Sequence, residues 1–131
     1  MVALLLPESP GQRLLADRLL AAALTDTLVV VPFTCLGETW RTLTEPRGYG
    51  APPDEVEYSL RRLLRSFPAV YPTQRAGRRW LTMASRTRAR GASTFDFQIA
   101  AICVEHGVDE IWTFDASFPT IDGLRVVNPL D

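Results

Sequence analysis

The chain has 131 residues, 47% of them hydrophobic and 22% charged, with a formal net charge of -1. That length suits one domain (residues 1–131) with a real core, the balance is that of a globular rather than a disordered protein, and the net charge by itself predicts no polyanionic partner. No apolar run approaches the roughly 20 residues that span a bilayer, so no membrane role is expected.

The opening "MVALLLPESP" is apolar for only six residues and has no basic flank, unlike a secretory leader. The expected location is the cytoplasm. As a first strand "VALLL" is short, and the chain reads as though it begins partway into its first element. Ser9-Pro10 then has the form of a helix start. Leu14, Leu15, Ala16, Leu19, Leu20 and Ala23 follow at helical spacing to about Leu24. "LVVVP" at 28–32 reads as a buried strand, and Phe33 onward as a helix carrying Cys35, Leu36, Thr39, Trp40 and Leu43.

"PRGYGAPP" at 46–53 is a loop by composition. Pro53-Asp54-Glu55 opens a helix that runs to about Phe67. "AVYP" is a short strand, and a helix from about Gln74 to Ala89 is closed by Gly91. A helix from about Thr94 to Glu105 stops at His106-Gly107. Strands at Glu110–Phe114 and in "GLRVVNP" finish the chain. Strands separated by helices predict an α/β domain with a mostly parallel sheet, whose ligands bind at the carboxyl ends of the strands. Cys35 and Cys103 lie in apolar stretches and read as buried reduced thiols, with a disulfide as the alternative.

Charge is segregated along this chain. All fourteen basic residues are arginine, and nine of them (Arg61, Arg62, Arg65, Arg75, Arg78, Arg79, Arg86, Arg88 and Arg90) fall between Tyr58 and Phe95 with no acid among them. Guanidinium forks suit phosphate. A solvated helix face, or one answered by an acidic protein, accounts for the same pattern.

Three acids stand out. Asp96, in the first turn of its helix, fits a capping box with Ser93. Asp115 ends a strand and either caps the following turn or faces a site. Glu38 has neighbours that read as buried, so it calls for a cation: Arg41 on the same helical face, or a metal. Acids from three separate elements also match a hard-cation site for Mg²⁺ or Mn²⁺ beside a phosphate. Zinc spacing, a glycine-rich phosphate loop, G-x-S-x-G and H-E-x-x-H are all missing. His106, at a helix end, reads as structural.

"TFDFQIAAICVEHGVDEIWTFDASFPTIDGLRVVNPL" resembles the C-terminal half of a PIN domain, in particular of VapC-type toxins. The likeness rests on Asp96 with Ile99-Ala100-Ala101, on Glu105-His106-Gly107, on Thr113-x-Asp115-x-x-Phe118, and on the run from Gly123 to Pro129. Glu38-Thr39-Trp40-Arg41 and the Pro46-Arg47 loop match further upstream. The resemblance implies a three-layer α/β/α sandwich around a mostly parallel central sheet. It implies a metal-dependent endoribonuclease, the toxin half of a toxin–antitoxin pair. Glu38, Asp96 and Asp115 would hold Mg²⁺ or Mn²⁺, with Thr113 beside the last acid, and Arg41, Arg86, Arg88 and Arg90 would grip RNA. A cognate antitoxin and a homodimer are the implied protein partners. The family's opening "D-x-N-V-L"-like strand has no counterpart here, so the first strand reads as truncated. Two alternatives follow: the missing ligand lies upstream of Met1, or the chain is a catalytically impaired module that binds RNA or an antitoxin.

Overall fold

The computed structural model describes Leu5 and residues 11–131. The expected cap at Ser9-Pro10 and most of the expected first strand lie outside them. Leu5 itself lies in helical backbone rather than in a strand.

Backbone contacts divide the chain into two units. Residues 1–31, 35–69 and 130 make the first, and residues 32–34, 70–129 and 131 the second. In the first unit α1 spans Gln12–Leu24 and buries only Leu15, while Leu14, Leu20 and Leu24 stay exposed. The stripe expected to cover a core is therefore mostly solvent-facing. Thr25 closes α1 by donating its hydroxyl to the Ala22 carbonyl at 2.9 Å, which satisfies a helix-end acceptor.

β1 is only Val31–Pro32, because Leu28 is exposed and Val31 is the buried residue of the expected 28–32 strand. α2 spans Phe33–Thr44 and buries Thr39 and Leu43. A loop then folds back, with Gly48 and Gly50 both donating to the Glu45 carbonyl; Gly50 takes φ +59°, which glycine tolerates without a Cβ clash. α3, Pro53–Ser66, opens with proline and two acids at its positive pole, as expected. Val56 and Leu60 from α3 join Leu43 in a core packed by Leu5, Leu36 and Ala51. β2 is Ala69–Val70, and β1 and β2 form a two-stranded ladder.

In the second unit Thr73 caps α4, Gln74–Thr87, by accepting the Ala76 N–H at 3.0 Å. The helix ends two residues short of the expected Ala89, and Gly91 does not close it. It stops at Arg88, which sits in the left-handed region at φ 53°, with the Ala89 and Arg88 amides donating to the Ala84 and Ser85 carbonyls in a Schellman closure. α5, Ser93–Glu105, buries Phe97 and every residue from Ile99 to Cys103. Being apolar nearly all round, α5 is the central element of this unit. Burial raises the Cys103 thiol pKa to about 11, and the two cysteines are thiols rather than a disulfide, with Cys35 only half-buried.

β3, Glu110–Trp112, pairs parallel with β4, Arg125–Val127, in the register Glu110↔Arg125, Ile111↔Val126 and Trp112↔Val127. The Thr113 N–H extends this ladder to the Val127 carbonyl at 3.0 Å. The α/β class and the parallel pairing agree with expectation. Among the described residues, however, the sheet structure consists of two separate pairs of very short strands. A strand ladder lasts only where both chains stay extended and side by side, and these stretches do so for two or three residues.

Candidate active site at the start of α5 and the end of β3

Asp96 is at the fourth position of α5, not in a capping box. Ala92 is the N-cap and makes no side-chain bond, while Ser93 Oγ donates to the Arg90 carbonyl at 2.8 Å. The first amides are satisfied by backbone instead, Thr94 to Gly91 and Phe95 to Ala92. Trp80 on α4 donates its indole N–H to the Thr94 carbonyl at 3.0 Å, tying α4 to the first turn of α5. The far end of α5 is tied as well, since His106 Nε2–H donates to the Tyr71 carbonyl at 2.6 Å. Thr34, donating to Gln98 Oε1 at 2.6 Å, adds a contact two residues beyond Asp96.

The carboxylate of Asp96 is half-buried and makes no hydrogen bond or ion pair among the described residues. Its pKa is raised, first by burial and then by the negative charge of Asp115. A carboxylate that has lost water, gained no donor and stands near a like charge is short of positive charge.

Asp115 follows β3 in an exposed turn. Its N–H donates to Thr113 Oγ1 at 3.1 Å, and its Oδ1 accepts the Ser117 amide at 2.8 Å and the Ser117 hydroxyl at 2.6 Å. Those Ser117 bonds hold Asp115 below the usual carboxylate range. Asp115 therefore caps its turn, as one of the two readings expects, and its charge also acts on Asp96. Thr113, half-buried, orients that turn through the Asp115 amide.

Glu38 stands on α2 in the first unit. It is exposed, which corrects the expectation of an enclosed carboxylate: of its expected buried neighbours only Thr39 is buried, while Trp40 is exposed and Cys35 and Leu36 are half-buried. Arg41, near the end of α2, is exposed too. In the second unit Arg86 lies in the last turn of α4, and Arg88 and Arg90 in the connection to α5, all three exposed. Among the described residues no group of three or more His, Cys, Asp or Glu side chains is drawn into a metal-holding cluster. Asp96 and Asp115 are brought into electrostatic contact. Sequence reasoning passed over Ser117 and Trp80. The Asp-x-Ser spacing of an Asx turn signals the first, whereas nothing local to Trp80 signals its tether.

Asp96, half-buried at the start of α5, and Asp115, just after the parallel strand β3, are oxygen donors of the kind that hard divalent cations take. The PIN domain family profile matches residues 1–124, and the chain belongs to that family. PIN domains are in general nucleases and usually require divalent metal. No curated protein matches the chain. No helix among the described residues is long and apolar enough to cross a membrane.

Proposed function

We propose that this protein is a Mg²⁺- or Mn²⁺-dependent endoribonuclease of VapC type, the cytoplasmic toxin of a toxin–antitoxin pair, built as one domain with a three-layer α/β/α arrangement. The observation that carries this reading is the state of Asp96, a half-buried carboxylate with its pKa pushed up and Asp115 as its charged neighbour. The pair fits a hard divalent cation through its oxygen donors and its unmet charge. Asp96 and Asp115 would hold the ion. When bound, the cation supplies charge neutralisation at a phosphodiester and a water of lowered pKa.

The chain's own residues do the rest. Ser117 holds the Asp115 carboxylate and Thr113 its backbone amide, so that little reorganisation is needed when a cation arrives. The Trp80 tether and the buried side of α5 hold Asp96 in place. Arg86, Arg88 and Arg90 stand exposed around the start of α5, available to phosphate oxygens, and Arg41 is assigned the same task. The exposed leucines of α1 (Leu14, Leu20 and Leu24) support a protein partner, either an antitoxin or a second copy of the chain.

Cleavage of single-stranded RNA is measured with Mg²⁺ or Mn²⁺ against an EDTA control. The expected result is metal-dependent cleavage that falls to background in Asp96→Ala and in Asp115→Ala. Undiminished cleavage in both variants would sink the site assignment. RNA binding without any turnover would favour the module that binds but does not cut.

A further inference from the structure

Along α4 runs an open groove of about 440 Å³ whose lining includes Arg75, Arg78, Arg79, Thr82, Arg86 and Glu105. Positions 75, 79, 82 and 86 recur at i, i+4, i+7 and i+11, so they share one helical face with about 5.4 Å between turns. Four guanidinium groups meet one carboxylate there. That carboxylate is engaged: Glu105 Oε1 accepts from Arg79 Nε at 2.6 Å, and Oε2 lies 3.4 Å from Arg75 Nε. The Glu105 side chain is 10% exposed, so it forms the floor of the groove. The side chains of Arg78 and Arg86 make no hydrogen bond or ion pair among the described residues.

Beyond Arg86 the chain itself leads on to Asp96. α4 packs against α5, and the short connection between them carries Arg88 and Arg90. The basic line thus starts beside the end of α5, follows α4, and turns through the connection to the first turn of α5, where Asp96 stands. The line carries arginine at 75, 79 and 86, with Thr82 at the turn between the last two, and each guanidinium is a fork suited to phosphate.

We propose that this face of α4 is a track for single-stranded RNA backbone, in which Arg78 and Arg86 take phosphates and Glu105 occupies Arg75 and Arg79 as an internal stand-in for one. The proposal rests on RNA being the substrate of the Asp96–Asp115 site. An acidic polypeptide matches the charge of the groove, but only a chain continuing to the carboxylate pair also uses Arg88 and Arg90.

The test uses the full chain in EDTA, where nothing is cut. Binding of a fluorescent oligouridylate is followed by anisotropy across a salt series. Arg78→Ala and Arg86→Ala should each make the slope of log affinity against log salt shallower by about 0.7, the single-strand value per phosphate contact. Glu105→Gln should tighten binding and steepen the slope by up to about 1.4, as Arg75 and Arg79 become available. Circular dichroism checks that each variant folds. Wild-type slopes in both arginine variants overturn the track. So does a poly-glutamate peptide that binds more tightly than the RNA and alone responds to the arginine variants. Because binding is read without metal, expected slopes with no metal-dependent cleavage elsewhere would condemn the nuclease reading and leave the track standing.

Discussion

The charge of Asp115 adds to burial in raising the pKa of Asp96, while Ser117 lowers that of Asp115 itself. The two carboxylates titrate apart for reasons that differ in kind. Burial and a like charge act on the first, and direct hydrogen bonds act on the second.

Asp96 binds its proton more tightly folded than unfolded. Its contribution to stability is fully present below the ordinary value of 3.8 and is lost as pH rises through the raised one. At neutral pH the ionised side chain therefore opposes folding. Asp96→Asn should raise Tm at pH 7 by a few degrees, with the gain shrinking as the pH approaches the carboxylate range, and should abolish cleavage. Thermal melts between pH 3 and pH 7 check this, and a Tm that drops at pH 7 would contradict it. Millimolar Mn²⁺ should raise the Tm of the wild type and not of this variant.

Asp115 has the opposite sign. Its contribution is present above 3.8 and disappears as pH falls through the depressed value. Ser117→Ala removes the hydroxyl bond and keeps the amide bond, so the Asp115 carboxyl should move back toward its ordinary pKa. An NMR titration of the side-chain carboxyl reads this directly. A lower cleavage rate with the metal requirement intact would match a positioning role.

Arg88 occupies a left-handed position that glycine takes at no steric cost. Arg88→Gly should raise stability by about 1 kcal/mol, the lower end of the left-handed penalty for a residue with a Cβ. The same substitution should weaken RNA binding, since it removes a guanidinium between α4 and Asp96. Urea midpoints and anisotropy separate the two effects; a variant less stable than wild type would show that the Arg88 side chain holds the cap.

Ile102 is 1% exposed in the middle of α5. Ile102→Ala should cost about 2–5 kcal/mol, through lost burial and the cavity left behind. A shift in the urea midpoint at unchanged slope checks it. Any loss of cleavage beyond the fraction unfolded would show that packing under α5 also sets the position of Asp96.

Much of the helical framework was legible in the chain. Thr73 before Gln74, and Pro53 with Asp54 and Glu55, mark helix starts through local chemistry, and α4 and α3 begin there. The strands were not legible in length. "LVVVP" has the residues of a five-residue strand, yet only Val31 and Pro32 pair, because a ladder depends on a partner that is distant in sequence. The helix α1 was legible to its end at Leu24, but not its burial: periodicity says which residues share a face, not what covers that face.

Local pattern could not decide the role of Asp96 either. Ser93-x-x-Asp96 is a capping box only if the helix begins after Ser93, and it begins at Ser93, one residue earlier. Gly91 at φ +60°, the Ser93–Arg90 bond and the Trp80 tether set that start. One residue of shift turns a cap into a bare carboxylate.

By itself the sequence determined which residue types are present and where helices are favoured. It placed an aspartate at the head of one helix and another after the next strand, nine arginines in one acid-free stretch, and a family pattern over residues 1–124. Tertiary structure alone decided that Asp115 acts on Asp96, that Glu105 engages two of the arginines, and that Arg78 and Arg86 do not share that carboxylate. Propensity and capping act within a few residues, whereas Coulomb interaction and desolvation depend on which distant segments packing brings together.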